Sequence, residues 1–276
     1  MSATSPAEIR RLLEGSSRHF RGPLRKGSGT GLFVKALAGD RLAQLLAEAE
    51  GLEALAATGC IRVPEIYLCE IVDDRACLVT EYLELTGAGK DTQAALGRNL
   101  ACVHRNLGPQ WGWASDNFLG DSPQENAPEP DWTGFFFRRR LAPPMRALDE
   151  PFAGWQDATF QALAATMEGH DPPRSLIHGD LWAGNAGTLP DGTPVVFDPA
   201  VHHADRECDL AMTRLFGGFD PAFYSAYEKA WPLPAGHRQR EPWYRLYHLL
   251  NHARLFGGGY RGQSLDLLER LAGPAR

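Results

Sequence analysis

His178-Gly179-Asp180-Leu181-Trp182-Ala183-Gly184-Asn185, followed by Val195-Val196-Phe197-Asp198-Pro199, is the stretch on which the reading of this chain turns. It supplies two carboxylates and an amide in an order that suits phosphoryl transfer. Asp180 can accept the proton of an acceptor hydroxyl. Asn185, after four intervening residues, can offer its side-chain oxygen to a metal ion. Asp198, closing an apolar β-branched run, can hold the metal that bridges nucleotide phosphates. Asp, Gly and Asn also build ordinary turns, so a hairpin with loop-stabilising side chains would reproduce part of the pattern. The Asp-x-x-x-x-Asn spacing is weak alone; His-Gly before it and a strand-borne Asp after it make it specific.

Upstream lies text suited to a nucleotide. Lysine is scarce, at positions 26, 35, 90 and 229 only, so Lys35 inside the apolar run Leu32-Phe33-Val34-Lys35-Ala36-Leu37 stands out. Alternation places Phe33 and Lys35 on one face of a strand and Val34 on the other. Lys35 suits the α- and β-phosphates, with Glu48 on the next helix to hold it; Glu50 is the alternative partner. Asp40 is placed to cap that helix, whose apolar positions Leu42, Leu45, Leu46, Ala49, Leu52 and Leu55 recur at helical spacing. Strand-like runs follow at 65–72 and 76–83, separated by the turn Asp73-Asp74. The second leads out of the sheet, where backbone groups of Glu81 and Leu83 can hydrogen-bond an adenine edge. The phosphate-covering loop is placed at Gly15-Ser16-Ser17-Arg18-His19, the tip of a hairpin from 9–14 to 20–24. The alternative makes 9–13 a terminal helix and Gly27 to Gly31 the phosphate loop; neither segment matches G-x-G-x-x-G.

Beyond residue 87 the text turns helical, with runs at 94–105, 131–147, 153–167, 205–215, 221–231, 238–256 and 263–271, and a loop at 120–130. The expectation is an α+β chain of two lobes: a β-rich nucleotide-binding lobe over 1–86 and a mainly helical catalytic and substrate lobe over 87–276, with a cleft between. The 276 residues, 43% hydrophobic and 22% charged, fit an ordinary globular protein. A net charge of −6 gives no reason to expect nucleic-acid binding. Arg138-Arg139-Arg140, after Phe135-Phe136-Phe137, reads as a solvated flank beside a buried helix face. No apolar run approaches the roughly 20 residues of a membrane span, and residues 1–14 lack a signal-peptide core. The cysteines, Cys60, Cys69, Cys77, Cys102 and Cys208, are odd in number and form no C-x-x-C pair, which argues against a disulfide framework and a zinc site and for a reducing cytoplasm.

Taken together these residues resemble the fructosamine (ketosamine) kinases, within the protein-kinase-like fold shared with aminoglycoside and choline phosphotransferases. His178, Asp180, Asn185 and Asp198 carry the wider likeness. The narrower one lies in Ala47-Glu48-Ala49-Glu50-Gly51-Leu52, Ile61-Arg62-Val63-Pro64, Asp116-Asn117, residues 133–141, residues 176–185 with Trp182, Asp205-Arg206-Glu207-Cys208-Asp209-Leu210-Ala211-Met212 and Leu215-Phe216-Gly217-Gly218-Phe219. The tail from Leu246 through Asn251-His252 to Tyr260 also fits, so the likeness spans about 45–262. Two departures stand out. Gly15 to His19 stands where the family has a Gly-Gly-Asp-Ile-Asn-like loop, and Asp198-Pro199-Ala200-Val201-His202-His203-Ala204 where it has Asp-Pro-Ala-Val-Tyr-Tyr-Gly. Adjacent His202 and His203 on an extended segment point apart, so altered substrate contact is expected rather than metal ligation.

The resemblance implies an ATP- and Mg²⁺-dependent kinase acting on a sugar hydroxyl of ketosamines, small molecules or glycated proteins, in deglycation repair. It implies Asp180 as base, Asn185 and Asp198 as metal ligands, and Lys35, Glu48, Glu81, Leu83, Gly15 and Ser16 around the nucleotide. His178 and Asp209 brace the catalytic loop. Asp116, Trp182, Trp231, Asn251 and His252 are candidates for the substrate pocket, although core packing accounts for the aromatics equally well. The alternatives are a phosphotransferase of the same fold acting on an aminoglycoside, choline or a sugar amine, and a pseudokinase that binds nucleotide without transferring phosphate.

Overall fold

The computed structural model describes residues 6–13, 20–24 and 31–273. Helix α1 (Pro6–Leu13) precedes strands β1 (Phe20–Leu24) and β2 (Leu32–Ala38). Helix α2 (Leu42–Ala57) and the hairpin β3 (Ile66–Val72) and β4 (Arg75–Glu81) complete an antiparallel sheet in the order β1-β2-β4-β3. Alternation on β2 decides what each face meets. Leu32, Val34 and Ala36 pack with Ile9 and Leu13 of α1, while Leu78 and Ala76 on the opposite face pack with Leu45 and Ala49 of α2. Lys35 pairs in register with Leu78 and so belongs to the α2 face. The tight β3–β4 turn follows from Asp73 and Asp74, both at positive φ (47° and 61°), where Asp is better tolerated than most residues.

Helix α3 (Lys90–His104) opens the helical part, followed by the short hairpin β5 (Asn117–Leu119) and β6 (Ser122–Gln124). Helix α4 (Trp132–Phe135) continues through a π-helical stretch, Phe136–Leu141, into α5 (Ala142–Ala147). Helix α6 (Gln156–Thr166) leads to β7 (Ser175–Ile177), β8 (Ala186–Thr188), β9 (Pro194–Val196) and β10 (His202–Ala204). Helices α7 (Glu207–Leu215), α8 (Pro221–Ala230), α9 (His237–Phe256) and α10 (Gly259–Ala272) close the chain. Gly97 lets α3 and α8 meet: a Cβ there would stand 2.2 Å from the carbonyl oxygen of Phe223. Among the described residues no helix is long and apolar enough to cross a membrane.

Several expectations are corrected. Of the two readings of residues 9–13, the terminal helix holds and the strand does not, because Ile9 and Leu13, one turn apart, both bury against the sheet. Asp40 does not cap α2; it sits in a 3₁₀ turn, Gly39–Arg41, and the cap residue Arg41 makes no side-chain cap bond. The segment 120–130 is not all loop, since it contains β6. Arg138 and Arg139 pair with Glu129 and Glu125 as a solvated flank would, but Arg140 is buried. Its guanidinium donates to Asn126 Oδ1 (2.6 Å) and the Glu125 carbonyl, and lies 4.7 Å from the Phe135 ring. Cys60 and Cys102 form a disulfide, Cα atoms 5.7 Å apart, between the end of α2 and α3. Counting cysteines could not foresee one bridge closed by the packing of two helices distant in sequence.

Candidate active site

The β7/β10 pair and the β8/β9 pair are linked to one another by two loops. The loop 178–185 runs from β7 to β8, and 197–201 from β9 to β10. They are clasped together: Ala200 N donates to His178 O (2.8 Å) and Phe197 N to Asn185 O (3.0 Å). Asp198 adopts φ +59°, a conformation costly for most residues other than glycine, which aims its carboxylate away from the strand path. Gly179 is held at φ +82°, and a Cβ there would lie 2.1 Å from Ala200 O. Asp209 of α7 accepts the backbone N–H groups of His178 (2.7 Å) and Gly179 (2.9 Å), and His104 Nε2 at 3.1 Å. Tyr227 and Arg206 set the His104 tautomer: the Tyr227 hydroxyl lies 2.7 Å from Nδ1 while taking an N–H from Arg206 at 3.0 Å. His178, neutral because burial lowers its pKa, lies with Nε2 against Phe197 O (3.1 Å) and accepts the Asp180 N–H at Nδ1 (3.3 Å).

Asp180, Asn185 and Asp198 converge. The Asn185 amide nitrogen donates to Asp180 O (2.9 Å), Asp180 Oδ2 (3.1 Å) and Asp198 O (3.4 Å). That commits its nitrogen and leaves Oδ1 as the acceptor end. Burial, then the neighbouring Asp198 charge, push Asp180 up to about 7. Lys35 Nζ bridges Glu48 Oε1 (2.5 Å) and Asp198 Oδ1 (2.6 Å), so Glu48 is its partner and Glu50 is not; Glu50 takes the Trp113 indole N–H at 2.8 Å. Burial raises Glu48 in spite of Lys35, whereas Lys35 and Arg21 outweigh the burial of Asp198 and hold it low.

Two cavities meet at Lys35, Glu48 and Asp198. The smaller, about 330 Å³, is an apolar slot between Phe33, Leu52, Pro64, Leu78, Leu85 and Phe197, with Glu81, Tyr82 and Leu83 along one wall. The Glu81 side chain is paired with Arg62 and its N–H is given to Glu65 O (2.8 Å). The main-chain carbonyl of Glu81, which the Thr80 hydroxyl reaches at 3.4 Å, and the N–H of Leu83 are the edge groups of the slot. The larger cavity, about 850 Å³, runs from Asp180, Asn185 and Asp198 past Trp182 to α9 and the β5–β6 hairpin. Trp182, Asn251 and His252 line it. His252 belongs to an aromatic cluster with Phe216 (4.9 Å), Tyr260 (5.1 Å) and Phe256 (5.5 Å), while Trp182 meets Phe216 edge-on.

Asp116 and Trp231 line neither cavity. Asp116 accepts the Asn126 N–H (2.7 Å) on the exposed side of the hairpin, and Trp231 packs under Arg206 at 4.0 Å. His202 and His203 also line neither, contrary to the expected change in substrate contact: His202 is buried beside Arg140, and His203 packs on Trp113. Gly15 and Ser16 fall outside the described residues, as does most of the rival loop at 27–31. Asn117 and Arg21 were not foreseen. Asn117, the first residue of β5, is buried and lines the larger cavity, whereas Asp116 before the strand is exposed. Arg21, on β1, reaches Asp198 Oδ2 and lines both cavities.

A four-stranded sheet with one flanking helix carrying the lysine's partner, above a helical body with a clasped Asp…Asn…Asp loop pair, defines a phosphotransferase of protein-kinase-like fold. The choline kinase LicA of Streptococcus pneumoniae has the same fold, at a TM-score of 0.63 and 17% identity over 96% of this chain and 97% of that one. More specifically, the profile of the fructosamine kinase family matches residues 11–273. A probable ketoamine kinase of Synechocystis sp. is 39% identical over 241 residues, 86% of this chain and 82% of its own. A solved structure from Haemophilus somnus 129PT, carrying the name fructosamine-3-kinase, superposes with a TM-score of 0.84 at 27% identity, covering 97% and 96% of the two chains. The chain belongs to the fructosamine kinase family and is an ATP-dependent kinase.

Proposed function

We propose that this enzyme phosphorylates a sugar hydroxyl of ketosamines, the open-chain sugar adducts of amines, and serves deglycation in the cytoplasm. The observation that carries the reading is the convergence of Asp180, Asn185, Asp198 and the Lys35–Glu48 pair where the two cavities meet. Residues 1–86 form the nucleotide-binding lobe and 87–276 the catalytic and substrate lobe. Adenine occupies the apolar slot, with the Glu81 carbonyl and Leu83 N–H at its edge. Lys35, held by Glu48, takes phosphate oxygens.

The donor set suits Mg²⁺. Asp198 brings carboxylate oxygens and Asn185 an amide oxygen whose nitrogen is already committed, both hard ligands. Bound there, the ion would offset the charge on the phosphates. Asp180 orients the acceptor hydroxyl and takes its proton as the new O–P bond forms and the bond from the γ-phosphorus to ADP breaks. A carboxylate near pKa 7 is matched to that task at neutral pH. Trp182 and His252 offer ring faces to the sugar and its cationic amine, and Asn251 a buried amide.

The test is ADP release with Mg-ATP across ribulose-, erythrulose- and fructose-lysine adducts, with aminoglycosides and choline alongside. Turnover on the ketosamines, abolished in Asp180→Asn while nucleotide still binds, is expected. Turnover confined to the other amines would overturn the substrate assignment, and nucleotide binding without any turnover would make the chain a pseudokinase.

A further inference from the structure

Among the described residues that line the two cavities, Lys35 is a fully engaged cation, and the remaining cation is Arg21. Lys35 is nearly buried, its side chain 12% exposed, and locked between Glu48 and Asp198. Among the described residues Arg21 pairs with Asp198, and its side chain is 62% exposed, so it is free to move. Its position is fixed by the sheet: Arg21 pairs in register with Lys35 across β1 and β2, which brings the two cations side by side at the mouth of both cavities. Together they hold both oxygens of Asp198, Lys35 on Oδ1 and Arg21 on Oδ2. A metal ion bound by Asp198 must therefore displace at least one of them, and the exposed arginine is the one that yields.

The charge balance says where it goes. Lys35 and Arg21 together only cancel Glu48 and Asp198, and Asp180 adds further negative charge once ionised. Asp121, the other acid on the cleft wall, is already paired with Arg41, and Glu81 in the slot with Arg62. Among the described residues, carboxylates would outnumber cations without Arg21 where a polyanionic nucleotide has to bind. We infer that Arg21 is a second phosphate-binding residue: it caps Asp198 until the metal arrives, then passes to the terminal phosphate, where its planar fork can hold two oxygens. This rests on the kinase reading above, and it assigns to one exposed side chain a role in both metal entry and γ-phosphate contact.

The two roles predict effects of opposite sign. Arg21→Ala should bind Mn²⁺ alone, followed by electron paramagnetic resonance, several-fold more tightly than the wild type, because the competing cation is gone. The same variant should bind ATP roughly 10- to 100-fold more weakly in calorimetry, the range of a charge-assisted contact, while ADP affinity changes much less. Arg21→Lys should recover part of the ATP affinity. Equal weakening of Mn²⁺, ADP and ATP would reduce Arg21 to a structural role and overturn the inference. So would unchanged affinities for all three. A wild-type enzyme that binds no Mg-ATP would sink the kinase reading itself, which is a different result from a normal wild type with an indifferent Arg21→Ala.

Discussion

Asp180→Asn should make the protein inactive and, above pH 7, more stable. In the folded chain Asp180 is pushed from its ordinary 3.8 up to about 7 by burial and by Asp198. The sign follows from linkage. Between about pH 4 and 7 the folded state keeps a proton that the unfolded chain has released, so raising the pH favours unfolding; above 7 both states have lost it and the penalty is constant. A pKa difference of about 3 corresponds to at most about 4 kcal/mol, and local relaxation brings the expected value to about 2–4 kcal/mol. Asn carries no charge and can still accept the Asn185 N–H that Asp180 Oδ2 takes at 3.1 Å, so the substitution removes the penalty without orphaning a donor. The assay is urea unfolding of both proteins from pH 4 to 8.5 in buffers without divalent metal. The gain for Asp180→Asn should be near zero at pH 4, grow through pH 5–7 and level off, with a Tm gain of roughly 4–8 °C at pH 8. A gain that does not vary with pH, or a variant less stable than the wild type at pH 8, would refute the assignment of a strained, half-neutral carboxylate at this position.

Three further outcomes follow from the same geometry. kcat/KM should rise about tenfold per pH unit below 7 and flatten above it, since the free enzyme works only with Asp180 ionised; the kcat profile should break at lower pH, where a cation on Asp198 relieves the repulsion. A pH-independent kcat/KM from 5.5 to 8 would count against Asp180 as base. Gly179→Ala should cost more than about 2 kcal/mol, because it combines φ +82° with a Cβ 2.1 Å from Ala200 O, and chemical denaturation will read it. Cys102→Ser should lose about 3–4 kcal/mol by loop entropy in non-reducing buffer, the bridge spanning 42 residues, and nothing relative to the wild type once a reductant is present; an unchanged unfolding midpoint would show that the bridge contributes nothing.

What the sequence made legible was the chemistry carried by rare residues in regular elements. Lys35 was readable because lysine is scarce and strand alternation is strict, and its pairing with Glu48 follows from the α2 face on which both lie. Asp180, Asn185 and Asp198 were readable because the short strands around them fix the spacing of the loops. Asp116 and Asn117 mark the limit: Asp116 lies exposed before β5 and Asn117, its first residue, is buried, and no hydrophobic alternation in so short a hairpin reveals where the strand begins. Arg140 misled for a related reason. The π-helical stretch at Phe136–Leu141 breaks the 3.6-residue period, so the third arginine of a solvated-looking run turns under Phe135. Arg21 was invisible because its meaning comes from a register partner and from Asp198, 177 residues away. The aromatic wall of the cleft was partly visible: Trp182 and His252 were singled out, whereas Phe256, exposed and lining the same cavity, was not.

Asp180 and Asp209 show why the site could not be ranked by residue type alone. Both are buried aspartates near the same loop, yet burial and its neighbours drive one up and the other down. Asp209 receives three N–H donors, from His178, Gly179 and His104, and these outweigh its burial. Asp180 receives the Asn185 amide alone and faces a second carboxylate. Donor count therefore separates the brace from the base. The other buried acids are also supplied with donors: Asp205 is held by Tyr244 and His170, each at 2.6 Å, and Glu207 by the Arg240 fork at 2.6 and 3.0 Å, although burial still raises Glu207. Among these buried carboxylates Asp180 alone is left under-supplied, and it opens on the larger cavity. A fold that satisfies its other buried acids so fully has no structural use for that shortfall; a proton-accepting group does, because each further donor would lower its affinity for the proton it must take.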